Sequence, residues 1–132
     1  MNSTKKINLC FKPGAVPTVI NAGKFYLNDR NFNPIYNLPY TSLHQYFYHA
    51  TIRIGGEIFQ ISPGDLTITP ERVNSSYNMP ESGMHFCAHF VLPKGKEDVL
   101  RLPLYISRQE FDTDIGHLFE ELISYYRIEN QI

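Results

Sequence analysis

Residues 43–90 read LHQYFYHATIRIGGEIFQISPGDLTITPERVNSSYNMPESGMHFCAHF, and this stretch decides the fold, because short alternating runs follow one another with turn residues between them. Ala50, Ile52 and Ile54 alternate with Thr51 and Arg53, the period of two of a strand with one buried face. Gly55-Gly56 supplies the positive φ angles of a tight hairpin, and Glu57 to Ile61 returns as the partner strand. Pro63-Gly64 reverses the chain again. Asp65 to Thr69 then alternates, with Leu66 and Ile68 on one side and Thr67 and Thr69 on the other. Two hairpins this close in sequence predict an antiparallel, mostly local sheet.

Outward from this stretch the same patterning continues. LHQYFY, residues 43–48, is too aromatic for a loop and too short for a helix, and reads as a strand leading into the hairpins. Ser75 to Asn78 is a further short strand. In the strand from Met84 to Leu92, Phe86, Ala88 and Phe90 face one way and His85, Cys87 and His89 the other. Upstream, Thr18 to Leu27 is β-branched and aromatic with Gly23 near its centre, which predicts a strand with a bulge or bend. Pro13-Gly14 and Pro17 break any regular element before Thr18, so residues 1–17 are expected to form an arm. Asn28 to Pro34 is turn sequence, and Pro103 confines Leu104 to Ile106 to an edge strand or extended segment. The period changes near the end of the chain. Ile115, Leu118, Phe119, Leu122, Ile123 and Tyr126 make one apolar helical stripe, with Asp112, Thr113 and Asp114 as candidate caps. The organisation expected is an arm over 1–17, a β-barrel over 18–106 and a helical segment over 107–132.

The 132 residues suit one domain that buries its own core, and 42% hydrophobic with 19% charged residues is ordinary for a globular protein. Nine Tyr and nine Phe with no Trp favour β structure. A formal charge of −1 provides no basic footprint for direct nucleic-acid binding by this segment. Cys10 and Cys87 make no disulfide framework and read as reduced thiols. Neither a signal-peptide core nor a bilayer-length apolar run occurs, so the expectation is a cytoplasmic protein with no membrane partner.

Four of the five histidines lie in or beside the central stretch, which raises a metal site for consideration. His85 and His89 share a strand face but stand about 13 Å apart at roughly 3.3 Å per residue, too far to share one ion from a regular strand. His44 and His49 differ by an odd number and would point to opposite faces of one strand. No metal and no cofactor is expected. Cys87 reads as a small buried thiol rather than a nucleophile, and Asp65, just after a turn, as a carboxylate bonded to nearby backbone amides. The aromatics Tyr46, Phe47, Tyr48, Tyr77, Phe86 and Phe90 either fill a barrel or line a pocket in it, with Tyr77 and Gln45 as polar groups.

With LHQYFY, ATIRIGGEIFQISPGDLTITP, the Tyr of SSYNMP and GMHFCAHF in order, residues 43–90 resemble the N-terminal sensor domain of AraC-type transcription regulators, a cupin-like β-barrel. The resemblance implies a mainly β fold, a cupin-like antiparallel barrel or jelly roll followed by an α-helix. It also implies a small effector in the barrel, a sugar or related metabolite, and a homodimer formed through the C-terminal helix. Carried over by position, the effector-binding residues would be Gln45, Phe47, Tyr77, Phe86 and Ala88, and the dimer contact would use Ile115, Leu118, Leu122 and Tyr126. The early His-x-His pair of metal-binding cupins is missing, and Ser75 stands near the position of their later histidine. No helix-turn-helix follows Asp114, so DNA contact would be made only by a domain outside this sequence. The function expected is sensing and dimerisation without catalysis. The alternatives are a small metal-independent cupin enzyme of the sugar isomerase or epimerase type, and a pure dimerisation module whose pocket is filled.

Overall fold

The computed structural model describes residues 9–11, 16–27, 33–93, 100–111 and 114–129. In chain order the strands are β1 (Leu9–Phe11), β2 (Thr18–Leu27), β3 (Ile35–Tyr36), β4 (Thr41–Tyr46), β5 (Ala50–Ile54), β6 (Glu57–Ile61), β7 (Leu66–Thr69), β8 (Ser75–Asn78), β9 (Gly83–Val91), β10 (Leu100–Leu102) and β11 (Tyr105–Ile106). A single 3-10 turn (Arg108–Glu110) leads to the helix α1 (Ile115–Glu129). Five strands form one sheet in the order β11-β7-β4-β9-β2, and four form a second in the order β3-β8-β5-β6, every pairing antiparallel. The result is a two-sheet antiparallel barrel with one C-terminal helix.

Local chemistry explains the strand breaks. Gly55 alone of the Gly55-Gly56 pair takes a positive φ, 60°, and the β5–β6 hairpin closes with Ile54 opposite Glu57. Gly64 turns at φ 95°, and a Cβ there would come within 2.8 Å of the Arg108 side chain, so glycine is required twice over. Asp65 is buried and accepts hydrogen bonds from the Ser62 N–H, the Arg108 N–H and the Tyr105 hydroxyl, each at 2.8 Å. That carboxylate ties the turn before β7 to the segment entering the helix.

Several element boundaries differ from the sequence expectation. Residues Leu9–Phe11 form a strand against β10, a pairing across most of the chain that local composition does not reveal. Residues 12–15, the centre of the expected arm, lie outside the described residues, as do 28–32 in the expected turn. The irregularity in β2 falls between Val19 and Asn21 rather than at Gly23. LHQYFY is strand only to Tyr46; Phe47 and Tyr48 bend away.

Two apolar clusters divide the molecule into three layers. Between the sheets lie Tyr46, Tyr48, Ala50, Ile52, Ile54, Ile61, Tyr77, Met79 and Leu104. On the other face of the five-stranded sheet, Leu66, Phe86 and Ala88 pack against Phe119 and Ile123 of α1, with Phe86 and Phe119 stacked at 5.3 Å and 11°. The helix therefore covers the more apolar face of β9, and the barrel interior receives the other.

Candidate functional site

Alternation along β9 sends His85, Cys87 and His89 inward, and alternation along β4 sends His44 and Tyr46 to the same space. The register sets His44 opposite Cys87 and Tyr46 opposite His85, so two antiparallel strands bring residues 43 and 39 positions apart side by side. These side chains, with Phe25, Leu27, Leu38, Tyr40, Tyr77 and Met79 among others, line a cavity of about 370 Å³ between the sheets. That volume lies in the range of roughly 300–1,000 Å³ usual for small-molecule sites.

Rings make up most of the wall. His44 stacks on Tyr46 at 5.6 Å and 15°, and its ring centroid lies 5.4 Å from that of His85 and 5.9 Å from that of Tyr77. Phe25 stacks on His85 at 5.6 Å, and Tyr40 lies 4.5 Å from His89. The Tyr48 hydroxyl is 2.8 Å from His85 Nδ1, Cys87 Sγ is 3.2 Å from His89 Nε2, and the Tyr46 hydroxyl meets Thr67 Oγ1 at 2.6 Å. Two buried ring nitrogens, His44 Nδ1 and His89 Nδ1, have no hydrogen-bond partner.

Burial drives every one of these groups towards its neutral form. His44 is held well below the usual imidazole range by burial and then by the nearby His85 and His89. Burial lowers His85 to about 4, and it also lowers His89. The same effect pushes the Cys87 thiol up to about 12 and raises Tyr46, Tyr48 and Tyr77. Among the described residues that line the cavity there is no Lys, Arg, Asp or Glu. At neutral pH the described wall is uncharged. Among the described residues no group of three or more His, Cys, Asp or Glu is arranged to hold a metal ion.

The expected effector residues do not assemble there as a set. Tyr77, which is 6% exposed, lines the cavity. Phe86 and Ala88 instead lie under α1. Gln45 is buried on that same side, its Nε2 donating to the Gly64 carbonyl at 3.3 Å and its Oε1 and the Phe86 ring close beneath Gly116. Phe47 packs edge-on to Phe86 at 5.4 Å and is 40% exposed. Hydrophobicity points to the face that the helix covers, because α1, not the barrel interior, takes the most apolar side of the sheet. The inward residues His44, His85, Cys87 and His89 were legible only through that competition: an amphipathic helix needs an apolar platform, and assigning it Phe86 and Ala88 leaves the histidine face for the interior.

Along α1, Ile115 and Leu122 are half-buried against the sheet, and the Tyr126 hydroxyl donates to the Ile20 carbonyl at 2.7 Å. Leu118, 48% exposed, is the expected dimer residue left facing solvent, and Tyr125, 69% exposed, stands seven residues on.

No family model matches the chain, and no curated protein matches it. Among solved structures it is similar to an RmlC-like cupin from Shewanella frigidimarina, at 10% identity over 68% of this chain and 87% of that one with a TM-score of 0.47. It is also similar to a conserved protein of unknown function from Streptococcus pyogenes, at 14% identity over 69% and 79% with a TM-score of 0.47. A cupin protein from Bacteroides fragilis matches at 12% identity over 74% and 86%, with a TM-score of 0.41.

Proposed function

We propose that this chain is the ligand-sensing and dimerisation domain of an AraC-type transcription regulator, binding a small metabolite inside the barrel without transforming it. The observation that carries this reading is the burial of the cavity's histidines, thiol and phenols in a wall whose described residues include no charged side chain, which favours each neutral form. A general acid or base works best with a pKa near the working pH, whereas here the histidines move down and the thiol and phenols move up. Such a wall suits binding better than proton transfer. The regulator assignment itself rests on the sequence resemblance over residues 43–90, and the partner reading on Leu118 and Tyr125, exposed apolar side chains on one edge of α1.

The test is a fusion of residues 1–132 to a helix-turn-helix domain that represses a reporter only as a dimer. Repression that changes with an added metabolite is the expected result, together with its loss in the Leu118→Asp fusion. Repression indifferent to every metabolite supplied would sink the sensor reading, and a wild-type fusion that never represses would sink the dimer.

A further inference from the structure

We infer that the barrel selects an uncharged, flat ring bearing one or two hydrogen-bonding groups, in preference to a sugar acid, a phosphate ester or a polyol. This rests on the sensor reading above and names the ligand class of that same cavity.

Size sets the first bound. An apolar cavity of roughly 150 Å³ accepts one benzene ring. The space here, about 370 Å³, has room for a substituted or fused ring. Charge sets the second. A carboxylate, phosphate or ammonium in this cavity would leave water for a wall whose described residues include no Lys, Arg, Asp or Glu to pair it, a transfer that strongly disfavours binding.

The shape and polarity of the wall set the third. Its rings lie in near-parallel pairs, His44 with Tyr46 at 15° and Phe25 with His85 at 26°, beside the wholly apolar Leu27, Leu38 and Met79. Flat faces of this kind match a planar ligand by stacking and edge contacts. The inner polar atoms are largely engaged already: the Tyr46 hydroxyl with Thr67, His85 with Tyr48, and one nitrogen of His89 with Cys87. What remains buried and unpartnered in the wall is His44 Nδ1 and His89 Nδ1. Both atoms have almost no accessible surface, so a ligand reaches them only as the imidazole rings turn, and one or two polar groups are the most that they satisfy. A hexose, hydroxylated at nearly every carbon, would bring more polar groups inside than these two atoms can bond, and each left unpaired opposes binding.

Calorimetric titration of the wild-type chain with indole, 4-hydroxybenzyl alcohol, 4-hydroxybenzoate, glucose, gluconate and sorbitol tests the inference. The chain has no Trp, so indole fluorescence reports binding without tryptophan background. The expected result is binding of the two neutral rings, with 4-hydroxybenzoate about tenfold weaker or worse than its alcohol. Leu38→Arg, which adds a cation to the wall, should reverse that order. Should that variant not fold, His44→Phe serves instead, weakening 4-hydroxybenzyl alcohol by removing a bonding nitrogen. Preference for glucose, gluconate or sorbitol, lost in either variant, overturns the ring inference while leaving a sensor in place. Ring binding unaffected by both variants places the ligand outside the cavity and also overturns it. Binding of no compound overturns the inference together with the sensor reading.

Discussion

Asp65, His44 and His85 show how much a single side chain can carry. Asp65→Ala would strip the partners from two backbone N–H groups and the Tyr105 hydroxyl in one step. The expected loss is about 3 kcal/mol or more, read as a lower midpoint in urea unfolding. A variant within experimental error of wild type would show that water replaces the carboxylate without cost. His44 and His85 couple stability to pH. Both titrate lower in the folded chain than at the unfolded value of 6.5. Below 6.5 the unfolded state therefore holds more protons than the folded one, and stability rises with pH. The contribution is complete above 6.5 and is lost as pH falls towards 4, on the order of 3 kcal/mol for His85 alone. Urea unfolding at about pH 7.5 and about pH 5 should show the wild type weakening more than His85→Gln. Equal slopes would mean that the His85 imidazole protonates inside the fold.

At the scale of elements, β9 and α1 divide their faces between different neighbours. Inward, β9 presents His85, Cys87 and His89; outward, Phe86 and Ala88 meet the helix. Phe119, 3% exposed and stacked on Phe86, belongs to the inner side of α1, and Phe119→Ala should cost about 3–5 kcal/mol by emptying that contact. Leu118 belongs to the outer side. Leu118→Asp should leave the thermal midpoint of a dilute sample nearly unchanged while shifting sedimentation from dimer to monomer. It is a cleaner probe of association than Leu122, which also packs on the sheet. A wild type already monomeric at tens of micromolar would remove the dimer, and an unfolded Leu118→Asp would place that residue in the core.

For the whole molecule, the three layers separate structural support from the site. The helix and the outward side chains of the five-stranded sheet bury one apolar cluster, so the space between the sheets need not be packed solid to keep the domain folded. Cys87 reports on that space. It is 3% exposed, lines the cavity and is held as a neutral thiol by burial, so alkylation in the native state should be slow and should slow further when a ligand occupies the barrel. Mass spectrometry of the Cys87 peptide with and without bound ligand measures this. An unchanged rate at saturation would place the ligand outside the barrel.

The sequence by itself determined the antiparallel character of the chain, the β5–β6 hairpin, the turn before β7, the strand face shared by Phe86 and Ala88, and the terminal helix. All of these follow from periodicity and turn chemistry acting over a few residues. Asp65 was legible too, because a carboxylate after a Pro-Gly turn has backbone amides within reach. Only the tertiary structure decided which face of β9 looks inward. Periodicity separates two faces but does not say what covers each, and the helix and the barrel competed for the apolar one. The same holds for His44: its place beside Cys87, His85 and Tyr77 depends on the β4–β9 register, and for β1 on a pairing with β10 some ninety residues away. Contacts between segments so far apart in the chain form through packing of the whole molecule, which leaves no period in the local sequence.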